Sequence, residues 1–398
     1  MFKVRDYELA SDITEKRINR VLFCTSPLQV VNARSAMDYI NSEERCIDYV
    51  VIIHPSLPKI SKLMINDIAQ KMNYDKVIDL TYLVNRSHYS HMSLPKKIFS
   101  IKTIIANKIN KYQESSNSIA TALQEKIGKI DIIFFRTNSQ YIDSLFINTQ
   151  KHAIWFGIED GFGNYIPKYW PFVSFNKYEM KHKIKSVFSS YSLLLTSIFL
   201  TGGWKNNIDI FVKPSANYKS IYSNLGIKKA IDIGDYFKKN IIRLDTKLLS
   251  QKKIKVIIIG TLYLDPITHP KLPKFYIDRV VEIYNMIIKL ISKKYGIDSS
   301  EIWYKPHPRL PYDEWKFKKK NLNCSIYSYQ HGTIAEVELL NKDLRAVYSM
   351  NSTTLYYAKK IFDLDSYLID VRDEDCHPSA YKQAYYLAKK FDIATIHI

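Results

Sequence analysis

Short, unbroken apolar runs recur along this chain, each rich in β-branched residues and each set apart from the next by a longer amphipathic stretch. Val21–Cys24, Tyr49–Ile53, Ile132–Phe135 and Ala153–Ile158 form one series. Val256–Ile259, Ile302–Tyr304, Ala346–Tyr348 and Tyr367–Ile369 form a second. A strand that is apolar at every position is buried on both faces, as in a parallel sheet covered by helices. Between runs of the second series, Val280, Ile283, Ile287 and Ile291 share one helical face, while Asp278, Glu282 and Lys289 lie off it. Strands alternating with helices predict doubly wound parallel sheets, and two series in 398 residues predict two such α/β domains. The segment from Ile233 to Lys253 is charged and carries no strong strand pattern, so the boundary is set there. The expected domains are 1–248 and 249–378, followed by a helix over 379–398 that crosses back to the first.

Charge narrows the partners. With 58 Lys and Arg against 39 Asp and Glu, the formal net charge is +19. An excess of that size suits polyanions: nucleic acid, an anionic membrane surface or an acidic substrate. No nucleic-acid reader motif accompanies it, so nucleic acid is not an expected partner. The four cysteines, Cys24, Cys46, Cys324 and Cys376, are widely spaced and suggest neither a zinc site nor a disulfide framework. The amino-terminal residues lack the apolar core of a secretion signal, so a cytoplasmic protein is expected. The uncharged stretch Ser186–Trp204 follows the basic run Lys181–Lys185. It reads as a buried or interfacial helix, with a peripheral contact to the inner face of the membrane.

Ligands of doubly wound sheets bind beyond the carboxyl ends of the strands. The run ending at Ile158 leads straight into Glu159-Asp160-Gly161-Phe162-Gly163-Asn164. Two adjacent carboxylates at a strand end offer a general base for transfer to a hydroxyl, and the glycines allow a ligand close to the backbone. The same residues also suit an acidic turn, since Asp-Gly is a common turn pair.

The run ending at Tyr304 leads into Lys305-Pro306-His307-Pro308-Arg309. Three cationic or protonatable side chains crowd this strand end. They suit a phosphate that gains negative charge as it leaves, and the design needs no metal. His-Pro alone is weak: it also occurs at His54, His269 and His377, but only His307 has basic residues on both sides. Beyond the run Ala346–Tyr348, Asn351-Ser352-Thr353-Thr354 can cap a helix or bind a phosphate at its start. In Thr333-Ile334-Ala335-Glu336-Val337-Glu338, either glutamate can accept from ribose hydroxyls or lie on a solvated helix face.

Taken in order, Glu159-Asp160-Gly161, His307-Pro308 and Ser352-Thr353 resemble the signature of the bacterial sialyltransferases of lipooligosaccharide and capsular polysialic acid. Gly161-Phe162-Gly163-Asn164 resembles that group's D-G-T-G-N continuation, apart from Phe162. Lys305–Arg309 resembles its K-P-H-P-[RK], and Cys24-Thr25-Ser26-Pro27-Leu28-Gln29 its C-x-[ST]-x-x-Q entry. The resemblance implies a GT-B fold, two Rossmann-like domains facing a central cleft. It implies inverting, metal-independent transfer from CMP-sialic acid to a cell-surface glycan, with no cofactor. The base falls to the acidic pair, preferably Glu159 over Asp160, and the leaving phosphate to His307. Donor binding then involves Gly260, Thr261, Lys305, Pro308, Arg309, Glu336, Ser352 and Thr353. Ser26, Gln29, Gly161 and Asn164 would contact the acceptor or the donor sugar. Within this class, the chain could instead extend an anionic polysialic acid capsule, or transfer another nonulosonic acid. A glycan-binding protein without catalysis is the reading from a different class.

Overall fold

The computed structural model describes residues 17–40, 45–54, 57, 59–84, 101–136, 150, 152–159, 210–213, 229–244, 253–260, 274–306, 321–327, 334–370 and 378–397. The chain divides into two compact units: residues 1–57 with 65–233, and residues 58–64 with 234–398.

Among the described residues, the first unit holds seven parallel strands. They are β1 (Ile18–Cys24), β2 (Cys46–Ile52), β3 (Lys76–Asp79), β4 (Ile132–Arg136), β5 (Ile154–Ile158), β6 (Ile210–Lys213) and β7 (Lys229–Asp232), in the order β3-β2-β1-β4-β5-β6-β7. Among the described residues, three helices belong to the stretch between β1 and β4: α1 (Pro27–Ile40), α2 (Lys59–Lys71) and α3 (Ile101–Lys126). Val21, Phe23, Val51, Ile119, Leu123, Ile133 and Trp155 meet in the core on one face of the sheet. The order reverses between β1 and β4, so the crevice of a doubly wound sheet opens there, where Cys24 and Arg136 end their strands.

The second unit repeats the plan. Its strands are β8 (Val256–Ile259), β9 (Ile302–Lys305), β10 (Ser325–Ile326), β11 (Ala346–Ser349), β12 (Asp365–Asp370) and β13 (Ala394–His397). All pair in parallel, in the order β10-β9-β8-β11-β12-β13, with the reversal between β8 and β11. Its helices are α4 (Gly234–Arg243), α5 (Lys274–Tyr295), α6 (Thr353–Lys360) and α7 (Pro378–Phe391). Ile283, Ile287 and Ile291 of α5 are buried on Val256, Ile258 and Tyr304, while Glu282 and Lys289 are exposed, as the periodicity predicts.

All eight apolar runs are strands. The division between units, at Ile233/Gly234, precedes the 248/249 boundary read from sequence. The charged segment there is helix α4, whose Phe237 is fully buried with its ring 5.0 Å from that of Tyr357 in the second unit. The carboxyl-terminal segment is helix α7 followed by β13, which pairs with β12 and completes the second sheet. Ser186–Trp204 lies outside the described residues. Among those described, no helix is long and apolar enough to cross a membrane.

Candidate active site

In the first unit the site is built where α1 meets the end of β5. Ser26 precedes Pro27 at the first helical position, and Gln29 stands third in the helix. This is the S-x-x-Q start that satisfies orphan amides at a helix amino terminus. Gln29 Oε1 accepts from the Thr25 amide (2.7 Å) and the Ser26 amide (3.2 Å), and Gln29 Nε2 donates to Thr25 Oγ1 (3.0 Å). Gln29 is fully buried. The structure thus gives it a capping role in the turn that leaves β1, a role the sequence reading had not assigned.

Glu159 is the first residue past β5 and is fully buried. Its carbonyl oxygen accepts from Asn32 Nδ2 at 3.0 Å, across 127 positions of sequence. Asn32 sits in the second turn of α1 and was not singled out from sequence. Asp160, Gly161 and Asn164 lie outside the described residues.

In the second unit the polar groups gather at the carboxyl ends of β8, β9 and β11. The Gly260 amide donates to the Lys305 carbonyl (2.8 Å), tying the ends of β8 and β9. Ser349 Oγ donates to the Ile259 carbonyl (2.9 Å), bridging the strands that flank the reversal. Lys305 is buried rather than displayed: its Nζ lies 3.2 Å from Glu338 Oε1 and 4.7 Å from the centre of the Tyr327 ring. Tyr327 donates its hydroxyl to Glu338 Oε2 (2.8 Å). Burial, and secondarily the Glu338 charge, push the Tyr327 phenol far above its ordinary range.

Ser352 is the cap of α6. Its Oγ accepts from the Thr354 amide (3.2 Å) and lies 3.0 Å from Thr354 Oγ1. Thr354 Oγ1 in turn donates to Glu336 Oε1 (2.9 Å). Glu336 and Glu338 stand in the 3-10 helix Ala335–Leu340, both buried. Burial raises the Glu336 carboxyl above its ordinary value, against the lowering effects of its own backbone amide, Thr354 and Lys305. Thr353, the first residue of α6, is half-buried. Thr261, His307, Pro308 and Arg309 lie outside the described residues. The structure therefore brings Lys305, Glu336, Glu338 and Ser352 to one sheet edge, and adds Tyr327 and Thr354.

A family model described as alpha-2,8-polysialyltransferase (POLYST) matches residues 20–370. The chain belongs to the α-2,8-polysialyltransferase family. The matched span contains both sheet edges and every site residue named above. Among solved structures, Medicago truncatula UGT71G1 complexed with UDP-glucose matches at 11% identity and a TM-score of 0.50, over 97% of this chain and 86% of that one. The α/β-galactoside α-2,3-sialyltransferase of Photobacterium phosphoreum matches at 12% identity and a TM-score of 0.46, over 96% and 99%. The likeness to UGT71G1 concerns the fold alone, and with the two doubly wound parallel sheets it describes a GT-B-like double Rossmann architecture. No curated protein matches the chain by sequence. This polysialyltransferase-family chain is thus a glycosyltransferase-type protein of sialyltransferase-related kind.

Proposed function

We propose that the chain is a polysialyltransferase, extending an α2,8-linked sialic acid polymer with sialic acid from a CMP-activated donor. The observation that carries this reading is the family match over residues 20–370, which spans both edges where the candidate groups stand. The acceptor hydroxyl oxygen attacks the anomeric carbon of the donor sugar from the face opposite the phosphate. The carbon–oxygen bond to phosphate breaks, and its electron pair leaves with CMP. Glu159, placed at the end of β5, takes the hydroxyl proton as general base. Glu159 is fully buried at that strand end.

The phosphate gains charge in the transition state, and His307 and Arg309 are the groups assigned to meet it. Lys305 is neutralised by Glu338 within the fold, so in this reading it holds the end of β9 rather than the phosphate. Ser352, Thr353 and the first amides of α6 receive the phosphate, and Gly260 with Thr261 leaves backbone room for the nucleotide. The acceptor is itself anionic, which fits a chain of net charge +19.

Glu159→Ala tests the assignment. Turnover is expected to fall by about two to four orders of magnitude, the usual share of a general base, while CMP affinity in calorimetry stays at the wild-type value. Equal turnover in the two proteins contradicts the base assignment. A wild-type protein that binds glycan but releases no CMP supports the non-catalytic alternative.

A further inference from the structure

Asn32 is 1% exposed, and its carboxamide is half satisfied. Nδ2 donates to the Glu159 carbonyl at 3.0 Å, whereas Oδ1 is buried with no hydrogen-bond partner. Other buried polar groups along α1 are paired: Gln29 with Thr25 and Ser26, Ser35 with the Val31 carbonyl (2.7 Å), and the Val30 carbonyl with Tyr74 (2.9 Å). Leaving one carboxamide oxygen unpaired in that setting carries the desolvation penalty of a buried polar group with no return. An unpaired buried group of this kind calls for a partner from outside the fold, a ligand or an ordered water, or for local strain.

The amide orientation is fixed. Exchanging oxygen and nitrogen would set Oδ1 against the Glu159 carbonyl, two acceptors face to face. The waiting atom is therefore an acceptor, and its partner must be a donor. Phosphates and carboxylates, which carry no proton near neutral pH, do not fit. A sugar hydroxyl or an acylamino N–H does. The place agrees, since Asn32 touches the residue that follows β5, at the edge where doubly wound sheets receive ligands.

We propose that Asn32 reads the acceptor sugar beside the base: Oδ1 accepts one O–H or N–H of the terminal sugar, while Nδ2 holds the main chain of Glu159 in place. This rests on the transferase reading above. It adds a specificity-determining residue to the acceptor side, and it links the seating of the sugar to the placement of the base through a single carboxamide.

The test is steady-state transfer from CMP-sialic acid to an α2,8-linked sialic acid oligomer by wild type, Asn32→Ala and Asn32→Asp, with CMP affinities and thermal melts alongside. Asn32→Ala removes both contacts. It is expected to raise KM for the oligomer about tenfold, the effect of one lost hydrogen bond, and to lower kcat, with CMP affinity unchanged. Asn32→Asp is nearly isosteric and keeps an acceptor oxygen but not the N–H donor. It is expected to lower kcat and hold KM for the oligomer. An Asn32→Ala protein that melts like wild type, binds CMP like wild type and keeps the wild-type KM overturns the proposal alone. Should that variant not fold, an Asn32→Asp protein with a raised oligomer KM overturns it. A wild-type protein that does not bind CMP overturns the transferase reading, and this proposal with it.

Discussion

At Glu338 a lysine and a tyrosine converge on one buried carboxylate, and the arrangement is costly to disturb from one side only. Lys305 and Glu338 are both buried, so removing the acid strands a cation and a phenol together. Glu338→Ala is expected to destabilise the second unit by about 3–5 kcal/mol, read from denaturant or thermal unfolding. A loss under 1 kcal/mol contradicts the buried pair. Glu336, two residues earlier, behaves differently because burial makes it hold its proton more tightly folded than unfolded. Its contribution to stability is fully present below the pH at which an unfolded glutamate titrates, and is lost as pH rises through the higher folded value. Glu336→Gln is therefore expected to gain stability relative to wild type as pH rises across that window. A difference in melting that is flat with pH contradicts this. Glu159, Lys305 and Ser352 were legible in the sequence because each follows an apolar run, which places it at a strand end. Asn32 was not singled out, since what gives it meaning lies 127 residues away along the chain, and the pairing of Glu338 with Lys305, 33 residues apart, was hidden for the same reason.

The elements show the same division between what local pattern carries and what only the fold reveals. Strands covered on both faces, such as Val256–Ile259, are apolar at every position and stood out at once. Lys76–Asp79 and Ala394–His397 escaped notice because they are the outermost strands of their sheets. There, half-exposed positions accept lysine, aspartate and histidine, and the pattern is diluted. Ser325–Ile326 is too short to have a period. Several helices end on a residue in the left-handed region: Asn73 (φ 55°), Asp363 (φ 54°) and Asp392 (φ 56°), besides Gly128 and Gly296. After α7, the reversal lets the Ile393 amide reach back to the Ala388 carbonyl at 2.8 Å. That bond turns the chain into β13. Asp392→Gly is expected to be neutral or mildly stabilising, and Asp392→Val to cost about 1–2 kcal/mol because a β-branched side chain resists positive φ. Chemical denaturation of the two variants checks the ordering, and a valine variant as stable as the glycine one contradicts it.

For the whole molecule, both sheets follow the 3-2-1-4-5-6 order, the first with one strand more. Each therefore offers a reversal point, and each point carries its own polar groups: Glu159 near one, Ser349 and Ser352 near the other. In the proposed division of labour, the first unit takes the acceptor and its base, and the second takes the nucleotide. The family match, the carboxyl-edge placement of Glu159 and the excess of cationic residues all support one central claim, that an anionic sialic acid chain is lengthened from a CMP donor. The direct measurement is incubation of the protein with CMP-sialic acid and an α2,8-linked sialic acid oligomer, with product masses followed over time at low and high salt. A ladder of longer oligomers is predicted, with one CMP released per sugar added and a KM for the oligomer that rises with ionic strength as screening weakens its attraction to the basic protein. Folded protein that releases no CMP and adds no sugar to the oligomer would contradict the account.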